Sequence, residues 1–289
     1  MPIFTPMKDT LLLIKQRLAP AFSDGEIKNI TRIIFENLMG YSQVDIIMHD
    51  ADSLSDFMKE KINRVLDRLL LHEPVQYIFG EAYFQGLHIK VNSHTLIPRP
   101  ETEQLVDFIV DENPLPDLRV LDIGTGSGAI AIALAKALRF PVVHALDISE
   151  GALAVAAENA DTHKVKVQFF LRDILAEPAP DAPCYDIIVS NPPYVTDSER
   201  ADMEANVLDF EPHSALFVPD ADPLLFYRAI AAYASGALVD GGRIYFEINR
   251  QFGRHTAHLL LRYGFEDAVV IKDMYGNDRF VKAVKSARL

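Results

Sequence analysis

Hydrophobic and polar positions alternate in three different ways along the chain. Up to about residue 73 the apolar positions recur at helical spacing. Ser23-Asp24-Gly25-Glu26 has the spacing of a capping box, Ile27, Ile30, Ile34 and Leu38 follow on one face, and Gly40 supplies a stop. Thr5-Pro6 sets a capping residue before a proline ahead of a leucine-rich helix. Ser53 opens another helix, with Leu54, Met58, Ile62, Val65 and Leu69 on one stripe. Four or five short helices making a small bundle are predicted, and the stripes read as core, because any bundle needs a 3.6-residue apolar period.

Glu73-Pro74 breaks that pattern. Residues 76–79, 82–84 and 87–91 are short β-prone runs separated by Gly80 and Gly86, which predicts a hairpin. Pro98-Arg99-Pro100 then forms a stiff entry to a helix running from Glu101 to about Val110. The expected organisation is a helical domain over 1–73, a β-hairpin linker over 74–100 and the main domain over 101–289.

From Arg119 onward strands alternate with helices. Strands are predicted at 120–123, 142–146, 167–171, 186–190, 243–248, 268–271 and 280–284, with helices between most of them, notably 129–138 and 150–159. Near-continuous apolar strands joined by helices imply a parallel sheet covered on both faces. The last two strands have only a short link at Tyr275-Gly276-Asn277-Asp278, so that pair should be antiparallel. The fold class is therefore α/β, a Rossmann-like seven-stranded mixed sheet behind a small helical bundle.

Composition narrows the function. The 289 residues are 49% hydrophobic and 24% charged, an ordinary globular balance. A single cysteine, Cys184, excludes an intrachain disulfide and a thiolate zinc site, and it suits a reducing compartment. His255 and His258 are three apart on a predicted helix without a carboxylate partner, so surface or packing roles are expected and no metal. No apolar run approaches the ~20 residues needed to cross a bilayer, and the N-terminus does not read as a signal peptide. A cytoplasmic protein without a membrane partner is expected.

The net charge is −13, and it is concentrated beyond residue 75, where 19 basic face 30 acidic side chains. Such a body repels phosphate backbones, so no direct nucleic-acid substrate is expected and a basic protein partner is favoured.

Ligands of an open α/β sheet sit beyond the carboxyl ends of the strands, near the point where strand order reverses. Three segments end strands there. Asp122-Ile123-Gly124-Thr125-Gly126-Ser127-Gly128 has glycines at alternate positions, which lets the backbone turn sharply and approach a ligand closely. Asp147 closes the next strand, where a carboxylate can accept hydrogen bonds from both hydroxyls of a ribose. Asp173 follows the third strand with Ile174 beside it, a polar and apolar pair suited to an adenine edge and face. A bare Gly-x-Gly-x-x-Ala pattern would also allow a dinucleotide, a nicotinamide cofactor or a turn that serves only packing.

Taken together, these three segments resemble the nucleoside-binding motifs of class I S-adenosylmethionine-dependent methyltransferases. The resemblance implies cofactor binding by Gly124, Thr125, Gly126, Ser127, Gly128, Asp147, Asp173 and Ile174.

Ser190-Asn191-Pro192-Pro193-Tyr194, closing the fourth strand, resembles the Asn-Pro-Pro-Tyr motif of methyltransferases acting on nitrogen atoms conjugated to a π-system. Such a nitrogen is a poor nucleophile because its lone pair is delocalised. Acceptors on both of its N–H groups fix it and favour the charge-bearing geometry of the transition state. Asn191 supplies a side-chain carbonyl, Pro192 a backbone carbonyl, Pro193 stiffness, and Tyr194 a planar wall. Asn191, Pro192 and Tyr194 are thus the expected catalytic residues, and Asn191 to Tyr194 the expected substrate-binding set.

The motif leaves a nucleic-acid adenine or a glutamine amide open as acceptor. Further segments closely resemble the release-factor glutamine methyltransferases (the PrmC/HemK family). They are Glu73-Pro74-Val75-Gln76-Tyr77-Ile78-Phe79-Gly80, Leu96-Ile97-Pro98-Arg99-Pro100-Glu101-Thr102-Glu103, Glu211-Pro212, Ala215-Leu216-Phe217, Phe226-Tyr227-Arg228, Glu247-Ile248 and 273–279. The resemblance implies methylation of the glutamine nitrogen in the Gly-Gly-Gln motif of peptide-chain release factors. It also implies that Asn191 lies close to the methionine part of the cofactor, and that residues 96–103 line the site. Arg99 and Glu101 are expected either in an interdomain ion pair or on the substrate. Two departures stand out: Asn249 where the family usually has glycine, and a stretch 218–223 without the family's frequent glycines. The alternatives are a ribosomal-protein glutamine methyltransferase, a DNA adenine N6-methyltransferase, and a non-catalytic cofactor-binding factor.

Overall fold

The computed structural model describes residues 5–176, 178 and 184–287, and it divides into two compact units. One comprises the chain up to Gly80 together with Ala205–Phe210; the other comprises Glu81–Glu204 and the chain from Glu211 onward.

The first unit contains β1 (Thr5–Pro6), α1 (Met7–Leu18), α2 (Asp24–Met39), α3 (Gln43–Met48), β2 (Ser53–Leu54), α4 (Asp56–Leu69) and α5 (Val75–Phe79). Met7, Ile14, Leu18, Ile34, Phe35 and Leu66 are fully buried in its core. The capping box of α2 forms as the sequence suggests, with Ser23 and Glu26 satisfying each other's backbone N–H, and Gly40 ends the helix at φ +68°.

Two local expectations are corrected. Ser53–Leu54 is not helical but pairs antiparallel with Thr5–Pro6, and the helix begins after Ser55, whose side chain accepts from Met58 N. Residues 76–79 are not a strand: Pro74 with its fixed φ precedes the segment and Gly80 at φ +76° closes it, so β-prone side chains sit between a helix start and a helix stop.

The second unit opens with the hairpin β3 (Glu81–Phe84) and β4 (Leu87–Lys90), followed by α6 (Pro100–Glu112). Then come β5 (Arg119–Ile123), α7 (Ala129–Ala137), β6 (Val142–Asp147), α8 (Glu150–Thr162), β7 (Val167–Leu171), β8 (Tyr185–Ser190) and β9 (Val195–Thr196). After α9 (Ala205–Phe210), which belongs to the first unit, follow β10 (Phe217–Val218), α10 (Leu225–Ala237), β11 (Leu238–Glu247), α11 (Gly253–Arg262), β12 (Phe265–Lys272) and β13 (Asp278–Lys285).

Seven strands form the main sheet in the order β12-β13-β11-β8-β5-β6-β7. The pairs from β11 to β7 are parallel, and β13 runs antiparallel to both β11 and β12. The chain builds outward from β5 through β6 to β7, then returns to place β8 on the other side of β5. Strand order therefore reverses between β5 and β8, which leaves a crevice above their carboxyl ends. The middles of the strands beside it are apolar because helices cover both faces; Val120, Leu121, Ile187, Ile188 and Val189 are all buried. Among the described residues no helix is long and apolar enough to cross a membrane.

Candidate active site

A cavity of about 350 Å³ opens at the reversal point. Of the residues singled out from the sequence, Gly124, Thr125, Gly126, Ser127, Asp147, Asp173, Ile174, Asn191, Pro192 and Pro193 all line it. Gly128 and Tyr194 lie outside the lining.

The glycine-rich turn is tied to the end of β6. Gly124 N and Thr125 N both donate to the Leu146 carbonyl, at 2.9 and 3.1 Å. Gly126 N donates to Asp147 Oδ2 at 2.8 Å, and Ser149 N donates to Asp147 Oδ1 at 2.9 Å. Gly128 caps α7 at φ +81°, and a Cβ there would lie 3.0 Å from the Ala156 Cβ and 3.1 Å from Ile132 Cδ1. Glycine is therefore required both by the left-handed backbone and by the close approach of α8. Gly128 shapes the turn rather than the wall.

These residues fit S-adenosylmethionine. The Asp147 oxygens accept backbone N–H groups and, with about four acceptor sites between them, keep capacity for a further donor, which suits a ribose hydroxyl. Burial pushes the Asp147 carboxyl above the usual range, and the backbone donors from Ser149 and Gly126 oppose that shift. Ile148 and Ile174 add apolar surface, and Asp173 Oδ1 accepts from Leu175 N at 2.9 Å, which fixes that turn. Beneath the loop, Asp122 is fully buried, with Oδ2 accepting from Thr125 Oγ1 at 2.6 Å and Oδ1 unpartnered. Burial pushes its pKa up to about 7 despite the Thr125 hydrogen bond.

Across the crevice, Ser190 Oγ donates to the Ile123 carbonyl at 2.6 Å and ties the ends of β5 and β8 together. Asn191 follows at the cavity wall, its Nδ2 3.5 Å from Thr102 Oγ1. Thr102 Oγ1 in turn donates to Glu247 Oε2 at 2.7 Å. Tyr194 departs from the planar wall expected of it. Its hydroxyl donates to Glu247 Oε1 at 3.1 Å, and its ring packs against the core of the sheet. A phenol whose polar end can meet a buried carboxylate turns inward rather than to the cavity. Burial pushes the Tyr194 hydroxyl well up, with the neighbouring Glu247 charge adding to the shift.

Arg99 pairs with buried Glu211 at 2.5 Å, and Ile97 N donates to the other oxygen of the same carboxylate at 3.2 Å. Both partners belong to the second unit, so this ion pair is internal to it, and Arg99 lines the cavity together with Leu96, Pro98 and Thr102.

The two departures from the family pattern are absorbed by side-chain hydrogen bonds. Asn249 is buried, and its Nδ2 donates to the Tyr194 carbonyl at 3.1 Å and to Glu199 Oε2 at 2.8 Å. It thereby braces the chain just after the two prolines. In the stretch 218–223, Asp220 Oδ1 accepts from Ser198 N at 2.9 Å, and Asp222 pairs with Arg228.

The sequence gives no individual role to Asn159, Ser190, Glu211 or Glu247, and Thr102 only a place in the lining segment 96–103. Asn159 is fully buried, exchanges hydrogen bonds with both backbone groups of Lys90, and donates to the Ser127 carbonyl at 2.9 Å, so it joins β4, α8 and the glycine turn. The available signal was a polar residue closing or interrupting an apolar run, as Glu247 closes β11. Its partner could not be read, since Thr102 lies 145 positions away.

Comparison with known proteins finds a methyltransferase small domain matching residues 100–209 and a PrmC N-terminal domain matching residues 9–80. A release factor glutamine methyltransferase of Flavobacterium psychrophilum is 45% identical over 271 residues, covering 92% of this chain and 95% of its own length. That of Bacteroides thetaiotaomicron is 45% identical over 270 residues, covering 93% and 97%. The crystal structure of a release factor-specific protein-(glutamine-N5) methyltransferase from Alicyclobacillus acidocaldarius is 27% identical, with a TM-score of 0.41 over 68% of this chain and 99% of the other.

Proposed function

The chain belongs to the release factor glutamine methyltransferase family and is an S-adenosylmethionine-dependent methyltransferase; from that premise we propose that it methylates the side-chain amide nitrogen of the glutamine in the Gly-Gly-Gln motif of peptide-chain release factors. The observation that carries the reading is the meeting of Asp147, the glycine turn and Asn191-Pro192-Pro193 in one cavity. The nucleoside-binding group and the acceptor-binding loop thereby face the same space.

The cofactor supplies an electrophilic methyl on a sulfonium. Gly124, Thr125, Gly126 and Ser127, with Asp147, Asp173 and Ile174, bind and orient it. Asn191 Oδ1 and the Pro192 carbonyl accept the two amide N–H groups of the glutamine. Holding both of them draws the nitrogen lone pair out of conjugation as the new N–C bond forms, and this is where the positioning lowers the barrier. The methyl's bond to the sulfonium would break in the same displacement, leaving a neutral thioether; one amide proton leaves to solvent, and the products are the N5-methyl amide and the demethylated cofactor. Pro192 and Pro193 keep the carbonyls from turning away. The acidic body, with net charge −13, favours a basic protein partner over nucleic acid, and we place the reaction in the cytoplasm.

The test is methyl transfer from labelled S-adenosylmethionine to purified release factor, set against a release factor whose Gly-Gly-Gln glutamine is replaced. Label on the unaltered factor alone is the expected result. Label on neither, with the cofactor bound, overturns the assignment and turns the search to a ribosomal protein. In the enzyme, Asn191→Ala should lower kcat by about 10²–10³-fold while cofactor binding persists.

A further inference from the structure

The side-chain amide of Asn191 can serve as an acceptor only if its carbonyl, and not its NH2, faces the cavity. The two ends of an amide have nearly the same shape, so packing alone selects poorly between them. A presented NH2 would meet the substrate N–H donor to donor. Something must therefore fix the amide.

We propose that Glu247 and Thr102 are positioning residues that set the orientation of the Asn191 amide, with Glu247 also anchoring the far end of the same loop through Tyr194. This inference rests on the reading of Asn191 as the acceptor of the substrate amide. Glu247 is buried at the end of β11, and both of its oxygens are engaged: Oε2 accepts from Thr102 Oγ1 at 2.7 Å and Oε1 accepts from Tyr194 at 3.1 Å. A threonine hydroxyl has one proton. Thr102 commits it to Glu247, so its oxygen can only accept from Asn191.

The NH2 of Asn191 must then point to Thr102, 3.5 Å away, and the carbonyl is left for the cavity. That separation is at the long end for a hydrogen bond, as is common before substrate closes a site. Thr102 is itself held firmly. It lies in the first turn of α6 behind Pro98 and Pro100, and its N–H donates to the Arg99 carbonyl at 3.0 Å. The direction of donation thus runs from the amide through the hydroxyl to the carboxylate, which accepts at both ends while it is ionised; burial raises the Glu247 pKa, and the Thr102 hydrogen bond, the Arg279 charge and the Tyr194 hydrogen bond oppose that shift.

The relay makes two sharp demands on substitution. Thr102→Val keeps the shape but removes the hydroxyl, so Asn191 loses its reason to point one way. Glu247→Gln inverts the logic: an amide NH2 at residue 247 can donate to Thr102, which then donates its proton to the Asn191 carbonyl and turns the NH2 toward the substrate.

The experiment measures kcat, the Kd for S-adenosylmethionine and thermal unfolding for Thr102→Val, Thr102→Ser, Glu247→Gln, Asn191→Ala and the Thr102→Val/Asn191→Ala double variant. Expected are a fall in kcat of about 10–100-fold for Thr102→Val and Glu247→Gln with Kd changed less than about threefold, and near-full kcat for Thr102→Ser. The double variant should be no slower than Asn191→Ala alone, because the relay acts only through that amide.

If Thr102→Ser is as slow as Thr102→Val, the role is packing and the proposal is overturned. If Asn191→Ala is inactive while Thr102→Val and Glu247→Gln turn over normally, the relay fails and the acceptor reading stands. If Asn191→Ala itself turns over normally, the acceptor reading fails, and the relay with it. Should Thr102→Val not fold, Glu247→Gln against the wild type decides alone.

Discussion

Asp122 offers a stability test that needs neither substrate nor cofactor. Its carboxyl is fully buried under the glycine turn, and burial raises its pKa from an ordinary 3.8 to about 7. The Thr125 side chain and the Ala131 backbone N–H oppose this, and the nearby Asp147 charge adds to it. The unfolded chain loses this proton near pH 4, whereas the folded protein keeps it to about 7. Between those values the folded state binds more protons, so stability falls as pH rises through the window, and the whole penalty is present above it.

At about 1.4 kcal/mol per pH unit, the penalty reaches as much as about 4 kcal/mol. Asp122→Asn removes the charge and with it this dependence. Urea unfolding of both proteins without cofactor, at several pH values from 4.5 to 8, isolates the effect. The variant's stability relative to wild type should rise by about 3 kcal/mol across that range. Asp147, whose carboxyl is also pushed up by burial, is present in both proteins and cancels to first order. A difference that stays flat with pH would mean that Asp122 titrates as it does in the unfolded chain, and the reasoning from burial would be wrong.

Two further substitutions probe the scaffold. Gly128→Ala forces a left-handed residue and drives a Cβ to 3.0 Å from Ala156, so a loss of about 2–4 kcal/mol is expected in urea unfolding at unchanged m-value. A loss below about 1 kcal/mol would show that α7 and α8 separate readily. Asn249→Gly, the residue that the family resemblance leads one to expect there, removes the brace on the Tyr194 carbonyl and on Glu199. It should destabilise the protein by about 1–3 kcal/mol, and a variant as stable as the wild type would show that water replaces those bonds without penalty.

Much of this protein is written locally. The capping box at Ser23 and Glu26, the stop at Gly40, the apolar strands and the short link before β13 all follow from side chains a few positions apart. So do the two loops proposed to bind cofactor and acceptor: glycine spacing fixes what backbone the turn after β5 can adopt, and two prolines fix the chain after Asn191. Local reading failed where neighbouring signals competed. Residues 76–79 have strand-forming side chains, yet the flanking Pro74 and Gly80 make a helical turn. Ser53 reads as a helix start, yet Ser53–Leu54 pair with β1 and the helix begins only after Ser55.

What the tertiary structure alone decided is which polar side chains meet. Glu247 reaches Thr102 across 145 positions, Arg99 reaches Glu211 across 112, and Asn159 reaches Lys90 across 69. Tyr194 turned inward because a buried carboxylate lay in reach, and no property of its own neighbourhood in sequence could say so. Periodicity and turn chemistry act over one or two helical turns, and so a sequence can announce them. A buried hydrogen bond is selected by the cost of leaving its partner unsatisfied once strand order has brought the two together, and that cost exists only in the folded chain.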